Sequence, residues 1–306
     1  MVSVVVPTKD RAQLLDQTLR SIGEQTRPPA AVIVADDGST DDTAAVVERH
    51  GATLVRNAEG GWGAAGARNA GLERVETELV AFVDSDDLLL PGALAALADG
   101  LEGAADAPFA FGQGLSAARN GSGWTPHGLI HPEPAELGEL FASIYVRNSV
   151  PSSGALVRTE HARAIGGYNA DLEFVEDHDF WIRLAMRGDP VHVAEVVCVY
   201  RIHPENRHAP DQGRSDVLRV VFLMEGEPRL SEHVHDRIAV EQCEVAIAAL
   251  KARRGREAWQ RGGWLIRRPR YLRRAVRHFR DRRSWNREGA EIWRRRGELR
   301  DWLASY

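Results

Sequence analysis

Three carboxylates stand within four positions at Asp84-Ser85-Asp86-Asp87, directly after the apolar run Leu79–Val83. Crowded carboxylates repel, and burying one without a partner is costly, so such a cluster at a strand end calls for a cation. Oxygen ligands of this kind suit Mg²⁺ or Mn²⁺, ions that usually sit on the phosphates of a substrate. A structural reading competes: Asp86 or Asp87 caps a helix entered through Pro91, where negative charge is favoured. The run alone leaves metal binding and capping open.

Other blocks carry compatible chemistry. Asp36-Asp37-Gly38-Ser39-Thr40-Asp41 offers a carboxylate for a base N–H or a ribose hydroxyl, and also Ser39 or Thr40 as a helix cap. Pro7-Thr8-Lys9-Asp10-Arg11 sets a hydroxyl and cations after the first strand. The glycine-rich stretch from Gly60 to Gly71 enters a helix whose N–H groups suit a phosphate, and Arg68 within it suits phosphate or base. It is neither a Walker A loop nor a dinucleotide fingerprint. Glu176-Asp177 by itself reads as helix capping, and His203 by itself as a structural histidine.

These residues need a scaffold. Continuous apolar runs predict strands at 2–6, 31–35, 53–55, 79–83 and 109–111. Helical spacing fills the intervals, with Leu15, Leu19 and Ile22 in the first helix and Leu94, Leu97 and Leu101 in the fourth. Such alternation indicates a mostly parallel α/β sheet with helices on both faces, and ligands there bind at the carboxyl ends of strands. Further on, the pattern predicts helices at 137–145 and 176–186 and strands at 153–157 and 191–200. Residues 206–216 read as a polar linker, and the pattern from 217 to 306 is helical.

Hydrophobic residues make up 43% of the 306, an ordinary share for a water-soluble chain, and no apolar run has the length of a membrane span. A strand begins almost at once, with no basic leader before it, and Cys198 and Cys243 lie far apart without metal spacing, so a cytoplasmic protein with free thiols is expected. Charge is polarised: residues 251–306 hold 19 Lys/Arg against 6 Asp/Glu, and residues 1–250 hold 20 against 38. A basic, Trp-bearing tail on an acidic body suits docking on that body, a homodimer surface, an acidic protein, or peripheral contact with an anionic inner membrane face. Nucleic acid is not expected, because no recognisable binding module is present.

In order, the blocks at 4–11, 34–43, 66–71, 82–87, 153–158, 165–168, 176–181 and 200–203 resemble the inverting family 2 glycosyltransferases, which have the GT-A fold. The resemblance implies a nucleotide-diphospho-sugar transferase domain over 1–205, with a nucleotide-sugar half at 1–115 and an acceptor half at 116–205, followed by a C-terminal helical extension. It implies that Pro7, Thr8, Arg11, Asp36, Asp37, Arg68, Asp84 and Ser85 bind the nucleotide, and that Asp86 and His203 hold Mg²⁺ or Mn²⁺. It assigns Asp177 as catalytic base, with Gly154, Glu176 and Arg201 beside donor and acceptor. Asp87 is left for capping. The implied donor is a UDP-sugar or another NDP-sugar, and the acceptor a small molecule, a glycan or a lipid-linked species. Processive synthases of this family carry a late Gln-x-x-Arg-Trp motif. Here Gly263 stands at the arginine position between Gln260 and Trp264, so transfer of a single sugar is expected. Two other readings compete: a sugar-phosphate nucleotidyltransferase, although the first turn lacks the glycines that class places there, and a non-catalytic nucleotide-sugar-binding protein.

Overall fold

The computed structural model describes residues 1–121, 123–132, 140–204 and 206, together with 267, 269, 272–273, 290–294 and 297–306. Its centre is a nine-stranded sheet. The first half comprises β1 (Val2–Thr8), α1 (Ala12–Gly23), β2 (Ala31–Asp36), α2 (Thr43–Arg49), β3 (Thr53–Arg56), α3 (Gly63–Glu73), β4 (Leu79–Phe82), β5 (Leu88–Leu89) and α4 (Ala93–Glu102). The second comprises β6 (Phe109–Asn120), β7 (Gly123–Ile130), α5 (Leu140–Arg147), β8 (Ala155–Arg158), α6 (Thr159–Ala164), α7 (Glu176–Ala185) and β9 (Val191–Ile202), and α8 (Gly297–Leu303) lies near the C-terminus.

The sheet order is β3-β2-β1-β4-β8-β6-β9-β5, with β7 paired to β6. β3, β2, β1 and β4 are mutually parallel, as the alternating pattern requires. Beyond β4 the sheet is mixed: β8 runs antiparallel to β4 and β6, whereas β9 runs parallel to β6. Successive strand residues face opposite sides. Val4, Val6 and Val34 therefore pack with Leu15, Leu19, Leu94 and Leu97 of α1 and α4. Val5, Ile33, Phe82 and Phe109 pack on the other side with α3, α5 and α7. A third cluster joins Leu88, Leu115 and Val199 of the sheet to Leu299 and Leu303 of α8.

Two capping expectations are corrected. α4 is preceded by Gly92 without any side-chain cap, so neither Asp86 nor Asp87 caps it. α2 starts after Asp42, and Asp41 supplies the nearby bonds, to the main-chain N–H and hydroxyl of Thr43 at 3.1 and 2.6 Å; Ser39 is bound elsewhere. The linker at 206–216, Cys243, residues 260–264 and most of the Arg-rich region lie outside the described residues. Among the described residues no helix is long and apolar enough to cross a membrane.

Candidate active site

The carboxylate run leaves the end of β4 and turns at once into β5. The Asp87 N–H closes that turn on the Asp84 carbonyl at 3.0 Å. The Asp87 carboxyl accepts from the Ser153 hydroxyl at 2.6 Å and from the Arg201 main-chain N–H at 3.2 Å, tying β4, the turn before β8 and β9 together. Burial, reinforced by the charges of Asp86 and Asp84, holds its proton well above the usual carboxylate range. Asp87 is thus an internal tie and not a helix cap. Ser153 also accepts from the Asp84 N–H at 3.0 Å, which fixes the direction in which the run leaves the strand.

Asp86 points the other way. Its Oδ2 lies 2.5 Å from Arg11 Nη1 at the start of α1 and 3.1 Å from His203 Nε2 just past β9. Arg201 is buried behind Asp86: its Nε donates to the Asp86 carbonyl, its Nη1 to Gln17 Oε1, and its Nη2 to the Leu14 carbonyl and the Thr18 hydroxyl at 3.1 and 3.0 Å. Loss of hydration lowers this guanidinium to about 10, which leaves it charged at neutral pH. Through these donors Arg201 joins β9 to α1 beneath Asp86. Among the described residues no three His, Cys, Asp or Glu side chains converge on one point.

Arg68, on α3, is 4% exposed and bridges two carboxylates, with Nη2 at 2.6 Å from Asp84 and Nη1 at 2.8 Å from Glu176. Its guanidinium lies 5.0 Å over the Tyr168 ring, which stacks on Phe180. Burial raises both Asp84 and Glu176; Arg68 opposes the rise, and Asp86 and Asp177 respectively add to it. Val175, before α7, has φ +56°, an unusual conformation for a β-branched residue, and it turns the chain so that Glu176 and Asp177 open the helix. Asp177 Oδ2 accepts from Asn148 Nδ2 and the Ser152 hydroxyl, both at 3.0 Å, and Oδ1 from the His178 N–H at 2.7 Å.

At the same carboxyl end of the parallel strands, Asp36 Oδ1 accepts from the Ser39 N–H and hydroxyl at 2.8 and 2.5 Å, and Oδ2 lies 3.3 Å from Arg56 Nε. Asp37 accepts from the N–H groups of Trp62 and Gly63 at 2.7 and 3.2 Å and lies 3.7 Å from Lys9 Nζ. The glycine-rich loop is therefore already moored to Asp37, and Gly60, Gly61 and Gly63 take the positive φ values its path requires. Pro7 is register-paired with Ala35, which puts Thr8 beside Asp36, and the buried Thr8 hydroxyl has no hydrogen-bond partner. Ser85 is buried, its carbonyl 2.9 Å from the Thr18 hydroxyl. A side chain at Gly154 would meet Pro151 and Cys198 at 2.6 and 3.1 Å, so the backbone there packs against β9.

The structure thus brings Arg11 and His203 to Asp86, and links Asp84 through Arg68 to Glu176, next to Asp177. Residues that sequence reasoning passed over complete the arrangement: Thr18 and Gln17 on α1, Asn148, Ser152 and Ser153. The small polar cluster Ser152-Ser153-Gly154 after Pro151 carried a turn signal, and Thr18 stood as a hydroxyl inside an apolar helical stripe.

Comparison with known proteins points one way. Residues 3–144 match glycosyl transferase family 2, and residues 79–286 match glycosyl transferase family group 2. An uncharacterized protein of Mycobacterium tuberculosis is 30% identical over 227 residues, covering 66% of this chain and 67% of that one. Other curated glycosyltransferases are 36–40% identical over shorter stretches that span 16–36% of their own length. Staphylococcus aureus TarS 1–349, solved with UDP-GlcNAc, shares the fold with a TM-score of 0.62 at 20% identity, over 79% of this chain and 72% of that chain. The Pyrobaculum calidifontis mannosyltransferase PcManGT, solved with GDP-Man and Mn²⁺, does so with 0.57 at 21% identity, over 95% and 86%.

Proposed function

This chain belongs to glycosyl transferase family 2, and we propose that within it the protein is a metal-dependent inverting enzyme that moves one sugar from a UDP-sugar to an acceptor hydroxyl. The observation that carries this reading is the pairing of Asp86 with His203 past the end of β4, with the neighbouring Asp84 linked through Arg68 to the Glu176-Asp177 pair at the start of α7.

The donor set fits a hard divalent cation. Asp86 and His203 supply two protein ligands, the number expected where phosphate and water fill the remaining positions. When bound, Mg²⁺ or Mn²⁺ would neutralise the charge that builds on the departing diphosphate. Arg11, now on Asp86, is in place to meet the same phosphates. On this reading Thr8, Asp36 and Asp37 face the uridine, and the unpartnered Thr8 hydroxyl is available to it. Asp84 and Ser85 lie on the ribose side, with Arg68 holding Asp84 charged and in place.

Inversion needs one displacement: the acceptor oxygen bonds to the anomeric carbon as the bond from that carbon to the diphosphate oxygen breaks, and UDP leaves. The acceptor's proton passes to Asp177. Asn148 and Ser152 hold Oδ2 of this carboxylate, which orients it, and Oδ1 takes the proton. Glu176, paired with Arg68, keeps the start of α7 at the donor, and Gly154 lets the turn before β8 pack closely on β9 beneath it. We assign 1–205 as the catalytic unit and 217–306 as an Arg-rich appendage. The UDP-GlcNAc complex of TarS supports a uridine donor, and the GDP-Man complex of PcManGT makes guanosine the competitor to test.

The test is Asp177→Asn. UDP release from a panel of UDP-sugars with candidate acceptors falls by about 10²–10⁴, and UDP affinity in Mn²⁺ stays the same. Undiminished transfer would remove Asp177 from the base role.

A further inference from the structure

The C-terminal segment makes contacts that the proposed chemistry leaves unused. Leu299, Leu303 and Tyr306 are buried against Leu88 and Val199. These two are register partners in the β5–β9 pair, so the segment packs on the strands that lead from Asp86 and toward His203. Trp302 Nε1 and the Tyr306 hydroxyl both donate to Glu24 at 3.0 and 2.9 Å, and the Arg20 guanidinium lies 4.7 Å over the Tyr306 ring, which fixes the segment on α1.

A continuous series of hydrogen bonds connects it to the site. The main-chain oxygen of Tyr306 accepts from Gln17 Nε2 at 3.1 Å and from Arg119 Nη1 at 2.5 Å. Gln17 Oε1 accepts from Arg201, and Arg201 donates to the carbonyl of Asp86. Gln17 is thus held at one end by the segment and presents its oxygen to a buried guanidinium at the other. A buried guanidinium deprived of an acceptor turns to the nearest anion, here the carboxylate of Asp86, and competes there with any other cation.

We propose that residues 297–306 brace the nucleotide site: by holding Gln17 against Arg201 they keep Arg201 on the Asp86 main chain and off its carboxylate, which is left to Arg11, His203 and a divalent cation. Gln17 and Leu303 are positioning residues in this scheme, which rests on the reading of Asp86 and His203 as metal ligands.

The test is UDP titration calorimetry at saturating Mn²⁺ with the unaltered chain, Gln17→Met, Leu303→Ala and the double variant. Each single substitution weakens UDP binding by about five- to tenfold. The double variant binds no more weakly than the worse single one, because both act through the same contact. Each titration is run well below the melting temperature of the variant, with full folding checked by circular dichroism, which separates the effect from general destabilisation. If Leu303→Ala does not fold, Trp302→Phe takes its place, loosening the segment through its Glu24 bond alone. Either single variant binding as tightly as the unaltered chain, or losses that multiply in the double variant, would overturn the brace. UDP binding that is indifferent to Mn²⁺ in the unaltered chain would overturn the reading of the site, and the brace with it.

Discussion

Replacing Arg68 by methionine keeps the length of the side chain and removes its charge. Asp84 and Glu176 then lose a partner at 2.6 and 2.8 Å, and Tyr168 loses the cation above its ring. Removing one member of a buried ion pair costs about 3–5 kcal/mol because an uncompensated charge is left behind. Asp84 keeps 25% of its side chain exposed, and both carboxyls escape part of the penalty by binding a proton, so the lower end of that range is expected near neutral pH. For a chain of this size that is a melting temperature lower by roughly 5 °C. The pH dependence is the sharper signature. Burial already raises both carboxyls in the folded protein, and loss of Arg68 raises them further. A group with a folded pKa above its unfolded value stabilises the fold below the unfolded pKa and loses that contribution as pH rises through the folded pKa. The deficit of Arg68→Met therefore grows between pH 5 and pH 8, read as the difference in urea midpoints at the two pH values. Arg68→Lys, a point charge unable to fork across both carboxylates, falls between the two. A deficit that is the same at both pH values, or under about 1 kcal/mol at pH 8, would refute the idea that Arg68 serves to hold two buried carboxylates.

Gly71→Ala tests packing against propensity. In a helix interior the change gains about 1 kcal/mol on propensity alone, but a Cβ there overlaps Val5 Cγ1, so a net loss of about 1–2 kcal/mol in chemical denaturation is expected; a gain would show that α3 shifts freely on β1. His192, beside Phe111, is lowered to about 4 by burial and then by the neighbouring His131. The unfolded chain therefore binds the extra proton between pH 6.5 and 4, and stability falls across that window as pH drops. After discounting for partial exposure the loss is about 1–2 kcal/mol. His192→Gln flattens this part of the stability profile, and an unchanged slope between pH 7 and pH 5 would exclude the assignment.

The half of the fold that carries β1 to β4 was legible because each buried parallel strand is a continuous apolar run and each helix an apolar stripe. The second half hid for physical reasons. β6 contains Gly112 and Gly114, which lower strand propensity, yet a Cβ at either would meet Val197 or Pro151 within 3 Å, so close packing selects the glycines. β7 carries Pro126 opposite a register shift between Ser116 and Ala117, a position where the missing N–H is tolerated but which reads from sequence as a break. β5 has only two residues and exists through its pairing with β9.

In the site, carboxylates advertise themselves by crowding, whereas their division of labour depends on directions set by distant residues. Asp87 turns inward because Ser153 and the N–H of Arg201 await it, and Asp86 turns outward to Arg11 and His203. Ser39 was legible as a polar turn residue, but its hydroxyl serves Asp36, and Asp41 takes the bonds at the start of α2. The positive φ of Val175 had no sequence signal, since β-branched residues ordinarily avoid that conformation.

The central claim is that Asp86 and His203 bind a nucleotide diphosphate together with a divalent cation. Calorimetric titration of the full chain with UDP, once in Mn²⁺ and once in EDTA, addresses it directly. The account predicts one site that tightens by at least about tenfold with the metal, a gain lost in Asp86→Asn. Equal affinity in Mn²⁺ and EDTA, or tighter binding of GDP than of UDP, would contradict it.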